Sequence, residues 1–143
     1  MTRLILIRHG ESEANLKKIF AGSFDVDLTS RGYAQAEKTA EYVAAHYAVD
    51  RIYASDLLRA FHTGEALATR IGVSVIAEKG LREIFAGAWE GRTFDDLDAE
   101  YTDSYAVWRT DIGAAFRLQG NLHHWRTHSL REWHAKRGGL VLC

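Results

Sequence analysis

The apolar residues of this chain form short branched runs that alternate with longer segments of helical periodicity. Residues 4–7 (L-I-L-I) are uniformly apolar, which is typical of a strand buried on both faces. Residues 51–54 and 73–76 predict two further strands. Because the strands are separated by helical segments, the pattern indicates an α/β fold with a largely parallel sheet.

The helical segments carry recognisable start and end signals. Thr29 and Asp56 are good N-caps for two of the predicted helices, and Gly72 is a good terminator for the second of them. Beyond Gly80 the periodicity weakens. The predicted helices cover approximately residues 12–18, 29–47, 56–72, 93–101 and 104–116.

Composition places the chain among ordinary globular domains. Its 143 residues suffice for one domain with a sizeable core, and 47% of them are hydrophobic. A formal net charge of -1 argues against nucleic acid or an anionic membrane as an obligate partner. The apolar run that ends at Arg8 is too short for a signal peptide or a membrane span. With Cys143 as the only cysteine, no intrachain disulfide can form, which favours a cytoplasmic setting.

The last part of the chain differs sharply in composition from the rest. Residues 117–143 contain one acidic residue, Glu132, against five basic ones, together with four of the seven histidines and two of the four tryptophans. We therefore expect a boundary near Phe116, with a domain over residues 1–116 and an atypical basic tail over residues 117–143.

Candidate chemistry begins directly after the first predicted strand, at R-H-G-E-S in residues 8–12. An arginine, a glycine and a helix start together make an anion site, and His9 beside them can be a nucleophile or a general acid/base. A purely structural turn at Gly10 is the alternative. Residues 55–59 follow the second strand, and parallel strands place such segments at one edge of the sheet.

Four ordered motifs carry a resemblance to a known family. Residues 8–15 match R-H-G-E-S/T-x-x-N, residues 55–63 match S-D-L-x-R-A-x-x-T, and residues 81–91 match L-x-E-x-x-x-G-x-W-E-G. Between the first two motifs, residues 20–28 lead into an L-T-x-x-G helix start. The sequence resembles the histidine phosphatase superfamily, the phosphoglycerate mutase-like proteins, and residues 20–28 are similar to the substrate loop of the mutases.

The resemblance implies a three-layer α/β/α fold and phosphoryl transfer without a metal ion or another cofactor. It implies that His9 attacks phosphorus to give a phosphohistidine, while Arg8 and Arg59 bind the phosphoryl oxygens. Glu83 resembles the family's general acid, although a surface carboxylate is its alternative reading. The implied ligand is a small phosphorylated metabolite, with Ser12, Asn15, Ala21 and Gly22 lining the substrate side.

Phosphatase chemistry is favoured over mutase chemistry by the segment around Glu83. The mutases carry E-R-H-Y-G at this point, whereas residues 83–91 read E-I-F-A-G-A-W-E-G, which looks like the broad phosphatase branch. Mutase-type phosphoryl transfer remains the alternative.

The resemblance stops before the tail. The family has a second histidine near its end, in S-H-G-G after an apolar strand, and a P-x-G-E-S segment before it, and residues 92–143 match neither. We therefore expect a fold truncated at its C-terminus, whose exposed sheet edge would favour a homo-oligomer. An inactive phosphate-binding relic is a further alternative function.

A shift of reading frame would explain the tail. Regrouping the codons of residues 119–133 by one base permits P-G-E-S followed by an alanine- and leucine-rich stretch, which is the expected family segment. We hypothesise a slip between Gly113 and Gln119, which the nucleotide sequence of the gene would test. A rival reading makes His123, His124 and His128 a metal site.

Overall fold

The computed structural model describes residues 3–110 and 139–142, and these form a parallel sheet with helices. The sheet order is β1-β4-β2-β3, and every pair in it is parallel, so the predicted α/β class is confirmed. The strands are β1 (Arg3–Leu6), β2 (Arg51–Ala54), β3 (Val75–Ala77) and β4 (Gly139–Leu142). The helices are α1 (Glu13–Leu16), α2 (Ser30–His46), α3 (Leu58–Ile71), α4 (Phe94–Glu100) and α5 (Thr102–Thr110).

Strand β4 lies in the middle of the sheet and was not predicted. Its Leu140 is in register with Leu4 of β1 on one side and with Arg51 of β2 on the other. The strand comes from the end of the atypical tail. Residues 139–142 therefore join β1 to β2 in the sheet.

Strand β1 departs from the prediction that both of its faces are buried. Ile5 and Ile7 pack against the core cluster that α2 and α3 form with β2. Leu4 and Leu6 point to the alternate face and are 45% and 72% exposed. The prediction is wrong because α2 and α3 pack on only one face of this strand.

Helix α2 follows its sequence signals closely. Thr29 is the N-cap and accepts a hydrogen bond from the backbone N–H of Gly32 at 3.0 Å. Ala36, Ala40 and Val43 form the buried stripe. The predicted cap is confirmed.

Helix α3 begins differently from the prediction. Its N-cap residue is Leu57, and Asp56 does not cap the helix because Arg82 binds its carboxylate through two hydrogen bonds. Instead, the side chain of Asp25 accepts a hydrogen bond from the backbone N–H of Leu58 at 2.8 Å. The predicted end is confirmed, since Gly72 takes the left-handed conformation with φ of 74°.

The remaining boundaries differ by a few residues. Helix α1 is shorter than predicted because Ser12 is its N-cap and Lys18 adopts a φ of 54°. Thr93 caps α4, which begins within one residue of the predicted start, and α5 begins two residues earlier than predicted. The rest of the helix predicted over 104–116 lies outside the described residues.

A second core cluster joins the loops that follow α1 and β3. Its buried residues are Phe20, Ala86, Trp89, Leu97 and Tyr105. The rings of Phe20 and Trp89 meet edge to face with centroids 5.8 Å apart. This cluster fixes residues 20–28 against residues 83–91. Within the described residues, no helix is both long enough and apolar enough to cross a membrane.

Candidate active site

His9 lies in the loop between β1 and α1, where its imidazole is held in one orientation. Its Nδ1 lies 2.7 Å from the carbonyl oxygen of Gly10. Because a carbonyl oxygen can only accept, Nδ1 must carry the hydrogen, and Nε2 of the neutral ring keeps its lone pair. The backbone N–H of Gly10 donates to Oγ1 of Thr63 at 3.1 Å, which ties the loop to α3.

The loop approaches the first turn of α2 so closely that glycine is required on both sides. A Cβ at Gly10 would lie 2.4 Å from the carbonyl oxygen of Gly32. A Cβ at Gly32 would lie 2.0 Å from the carbonyl oxygen of Glu11. Both contacts involve backbone atoms, which cannot move aside cheaply. The close approach therefore fixes the position of the residues next to His9.

The surroundings of His9 favour its neutral form. Burial lowers the pKa of His9 below 6.5, and the positive charges of Arg59 and Arg8 lower it further. The hydrogen bond to Gly10 and the carboxylate of Glu83 oppose the shift without cancelling it. At neutral pH the ring is therefore uncharged, with a lone pair available on Nε2.

Arg59 provides a fixed positive charge beside this ring. The residue is buried, and its guanidinium donates to the carbonyl oxygens of Gly22 at 2.7 Å and Phe24 at 3.1 Å. Burial lowers the pKa of Arg59, whereas the carboxylates of Asp25 and Glu83 raise it. An arginine remains charged despite such shifts. The two hydrogen bonds orient the guanidinium and leave its other N–H groups for an anion.

Glu83 and Arg8 complete the charged groups around His9. Both side chains are exposed, and the charge of each acts on the imidazole of His9. The carboxylate of Glu83 accepts a hydrogen bond from the backbone N–H of Ile84 at 2.9 Å. Arg8, Arg59 and Glu83, the other three residues predicted to be catalytic, are therefore all within electrostatic range of His9.

Ser12 and Asn15, two of the residues predicted to bind substrate, form the capping box of α1. The buried hydroxyl of Ser12 accepts from the backbone N–H of Asn15, and Oδ1 of Asn15 accepts from the backbone N–H of Ser12 at 2.9 Å. These contacts are structural. Ala21 is half-buried, and Gly22 is buried with a φ of 51°. The assignment of these four residues to substrate stays a prediction.

Glu90 has a role that the sequence did not reveal, although the residue lies within a matched motif. One of its carboxylate oxygens accepts from the backbone N–H groups of Ser23 at 2.8 Å and Ala86 at 3.0 Å. A Cβ at Gly22 would lie 2.6 Å from the same oxygen. Glu90 therefore fastens the loop beside Arg59 to the loop that carries Glu83.

A second polar cluster lies one helical turn after Arg59. Nδ1 of His62 is 2.7 Å from one carboxylate oxygen of Asp27, and the hydroxyl of Tyr33 donates to the other at 3.0 Å. Burial opposes ionisation of Asp27, but the hydrogen bond from His62 and that from the backbone of Leu28 leave its pKa below the ordinary value. This cluster ties residues 20–28 to α2 and α3.

No three histidine, cysteine, aspartate or glutamate side chains gather as a possible metal site within residues 3–110 and 139–142. The histidines of the rival metal reading, His123, His124 and His128, lie outside the described residues.

Comparison with known proteins gives one consistent family. The model of the histidine phosphatase superfamily, branch 1, matches residues 4–135. Adenosylcobalamin/alpha-ribazole phosphatase of Salmonella typhimurium is 39% identical over 118 residues, or 82% of this chain. Glucosyl-3-phosphoglycerate phosphatase of Mycolicibacterium vanbaalenii is 38% identical over 109 residues, or 76% of this chain.

Solved structures agree with these sequence matches. The alpha-ribazole phosphatase of Shigella flexneri superposes with a TM-score of 0.74 at 28% identity, covering 98% of this chain and 72% of that one. The chain spans 58% of the length of the Salmonella relative and 48% of the Mycolicibacterium relative.

Proposed function

The chain belongs to the histidine phosphatase superfamily, and from this premise we propose that it is a phosphomonoester phosphatase acting through a phosphohistidine on His9. The observation that carries the proposal is the imidazole of His9, neutral and oriented by Gly10, within range of the positive charges of Arg8 and Arg59. Such a ring is a nucleophile that needs no separate base at neutral pH.

In the first proposed step, Nε2 of His9 attacks phosphorus in line and the bond from phosphorus to the substrate oxygen breaks. Arg8 and Arg59 bind the equatorial oxygens, where negative charge is spread in the transition state. Glu83 gives its proton to the departing alcohol. The hydrogen stays on Nδ1 and is donated to the carbonyl oxygen of Gly10, which stabilises the positive charge that the phosphorylated ring acquires.

In the second proposed step, water hydrolyses the phosphohistidine. The carboxylate of Glu83 takes a proton from the attacking water, the new P–O bond forms, and the P–N bond breaks. Inorganic phosphate leaves, His9 returns to its neutral form, and Glu83 is protonated again. The cycle uses only side chains of this protein and water.

We propose a small phosphorylated metabolite as substrate and a cytoplasmic setting. The names of the relatives support the first, because they describe phosphatases of small phosphorylated compounds. The presence of a single cysteine in the chain supports the cytoplasmic setting. The exposed Leu4 and Leu6 on an outer strand of the described sheet support a homo-oligomer.

Turnover of p-nitrophenyl phosphate by the full chain tests the proposal. We expect His9→Ala to lower kcat/KM by at least about a thousandfold, because the nucleophile is lost. His46→Ala, at the exposed end of α2, is the matched control and should retain wild-type turnover. Circular dichroism should show that both variants fold.

Other results of this experiment would favour the alternatives. Turnover that survives His9→Ala would contradict the phosphohistidine mechanism. No turnover by the wild type, with inorganic phosphate still bound, would favour the inactive relic, which the unmatched second histidine supports. Loss of turnover with a chelator would favour a metal site in the tail, and a phosphorylated acceptor product would favour mutase-type transfer.

A further inference from the structure

Three large apolar side chains stand exposed beside the charged groups of the candidate site. Phe24, Leu58 and Phe85 are 45%, 39% and 67% exposed. We call this set the apolar rim. Exposed apolar side chains that gather at one place commonly mark a binding surface, whereas scattered ones need no explanation. Hydrogen bonds bring together the backbone segments that carry these three side chains.

Phe24 and Phe85 are brought together by one carboxylate oxygen. Glu90 Oε1 accepts hydrogen bonds from the backbone N–H groups of Ser23 at 2.8 Å and Ala86 at 3.0 Å. Each phenylalanine is the direct neighbour of one of these donors. The two rings therefore project from adjoining backbone segments, although they lie far apart in sequence.

Leu58 joins the same place through two contacts. Its backbone N–H donates to Asp25, the neighbour of Phe24, at 2.8 Å. The next residue, Arg59, donates from its guanidinium to the carbonyl oxygen of Phe24 at 3.1 Å. The backbone of Phe24 and Leu58 thus lies directly beside the guanidinium that we assign to the phosphoryl group.

The charges on this rim are unsuited to a second anionic group on the substrate. Asp25, the neighbour of Phe24, is an exposed carboxylate within electrostatic range of Arg59. Arg82, the residue before Glu83, is bound by both carboxylate oxygens of Asp56, at 2.5 and 2.7 Å. Its positive charge is therefore already paired. A substrate carboxylate at the rim would meet negative charge.

We propose that the preferred substrates carry a flat apolar ring, aryl or heterocyclic, on the alcohol part and no second anionic group there. The phosphoryl group would lie between Arg59 and His9 while the ring packs on Phe24, Phe85 and Leu58. This inference rests on the proposed function, which it extends by naming the substrate class. Phe24 and Phe85 are then specificity-determining residues.

Binding of phosphonates to the full chain tests the inference without requiring turnover. Calorimetry would measure the dissociation constants of 2-phenylethylphosphonate, ethylphosphonate and 2-carboxyethylphosphonate, which differ only in the group that reaches the rim. We expect the phenyl compound to bind about tenfold more tightly than ethylphosphonate, as stacking on aromatic rings allows. The carboxylate compound should bind no more tightly than ethylphosphonate.

Variants assign the preference to the rim. Phe24→Ala and Phe85→Ala should each reduce the phenyl preference, which is the ratio of the ethylphosphonate to the 2-phenylethylphosphonate dissociation constant, by about threefold or more. Tyr42→Ala is the matched control, because it removes an exposed aromatic ring from the far half of α2. This control should keep the wild-type ratio.

Several results would overturn the inference. These are equal binding of the phenyl and ethyl compounds, a phenyl preference that survives both rim variants, tightest binding of the carboxylate compound, or no measurable binding of the phenyl compound. The proposed function fails separately, if p-nitrophenyl phosphate turnover persists in His9→Ala. If the chain turns over substrate through His9 but lacks the ring preference, the proposed function would stand and only this inference would fail.

Discussion

At the scale of single residues, the neighbours of His9 determine the protonation state of its imidazole. Motif spacing was enough to single out His9, Arg8, Arg59 and Glu83, and the structure brings the last three within electrostatic range of His9. Motif spacing could not reveal that Gly10 fixes the tautomer of the imidazole, because the tautomer follows from a single hydrogen-bond distance. The motifs identified the chemical groups, whereas the contacts determine their protonation.

The lowered pKa of His9 predicts a dependence of stability on pH. In the unfolded chain the pKa is near 6.5, and in the folded chain it is lower. Between these two values the unfolded state binds more protons, so the free energy of unfolding falls as the pH drops through this window. Above 6.5 this contribution is undiminished. Urea denaturation at a series of pH values would measure how the free energy of unfolding changes with pH.

His9→Gln is the variant for this measurement, because glutamine does not titrate. We expect the free energy of unfolding of this variant to fall less steeply below pH 6.5 than that of the wild type. The variant and the wild type can differ in free energy of unfolding by a constant amount at every pH without affecting the test. The test compares only how steeply that free energy changes with pH. Identical slopes would contradict the assigned pKa shift.

At the scale of elements, local signals predicted helix ends well where no distant residue competed for the same group. Thr29 caps α2 and Gly72 ends α3 as the sequence indicated. Asp56 failed as a cap because Arg82, 26 positions further along the chain, binds its carboxylate. Asp25 takes its place from another loop. Such partners depend on tertiary structure and leave no local signal.

The cap supplied by Asp25 predicts a specific loss of stability. Asp25→Ala removes the acceptor for the backbone N–H of Leu58, and we expect the free energy of unfolding to fall by about 1 kcal/mol. Asp25→Asn keeps an oxygen that can accept the same hydrogen bond, so it should be more stable than Asp25→Ala. Urea denaturation would compare them, and equal stability would exclude a contribution from the cap.

At the scale of the whole molecule, the parallel sheet was predictable but its central strand was not. Repeated alternation of strand and helix patterns predicted the α/β class, which requires no knowledge of individual contacts. Strand β4 comes from a four-residue segment at the end of the atypical tail, and so short a segment carries little periodicity. The proposed shift of reading frame between Gly113 and Gln119 stays a prediction that the gene's nucleotide sequence can test.

The contact between two loops that lie far apart in sequence could be seen only in the structure. Glu90 binds Ser23, which is 67 positions away in sequence, and the two segments together support Arg59 and Glu83. A motif match showed that Glu90 was present without showing what it contacts. The assembled site therefore depends on the whole domain being folded, which is why the central claim is best tested on the full chain.

The most direct test of that claim is to trap the phosphorylated protein. We expect the wild-type chain, quenched during turnover of p-nitrophenyl phosphate, to gain the mass of one phosphoryl group. Peptide mass spectrometry should place that group on His9, with the lability in acid and stability in base of a phosphoramidate. A wild-type protein that turns over substrate without becoming phosphorylated, or that is phosphorylated on another residue, would contradict the account.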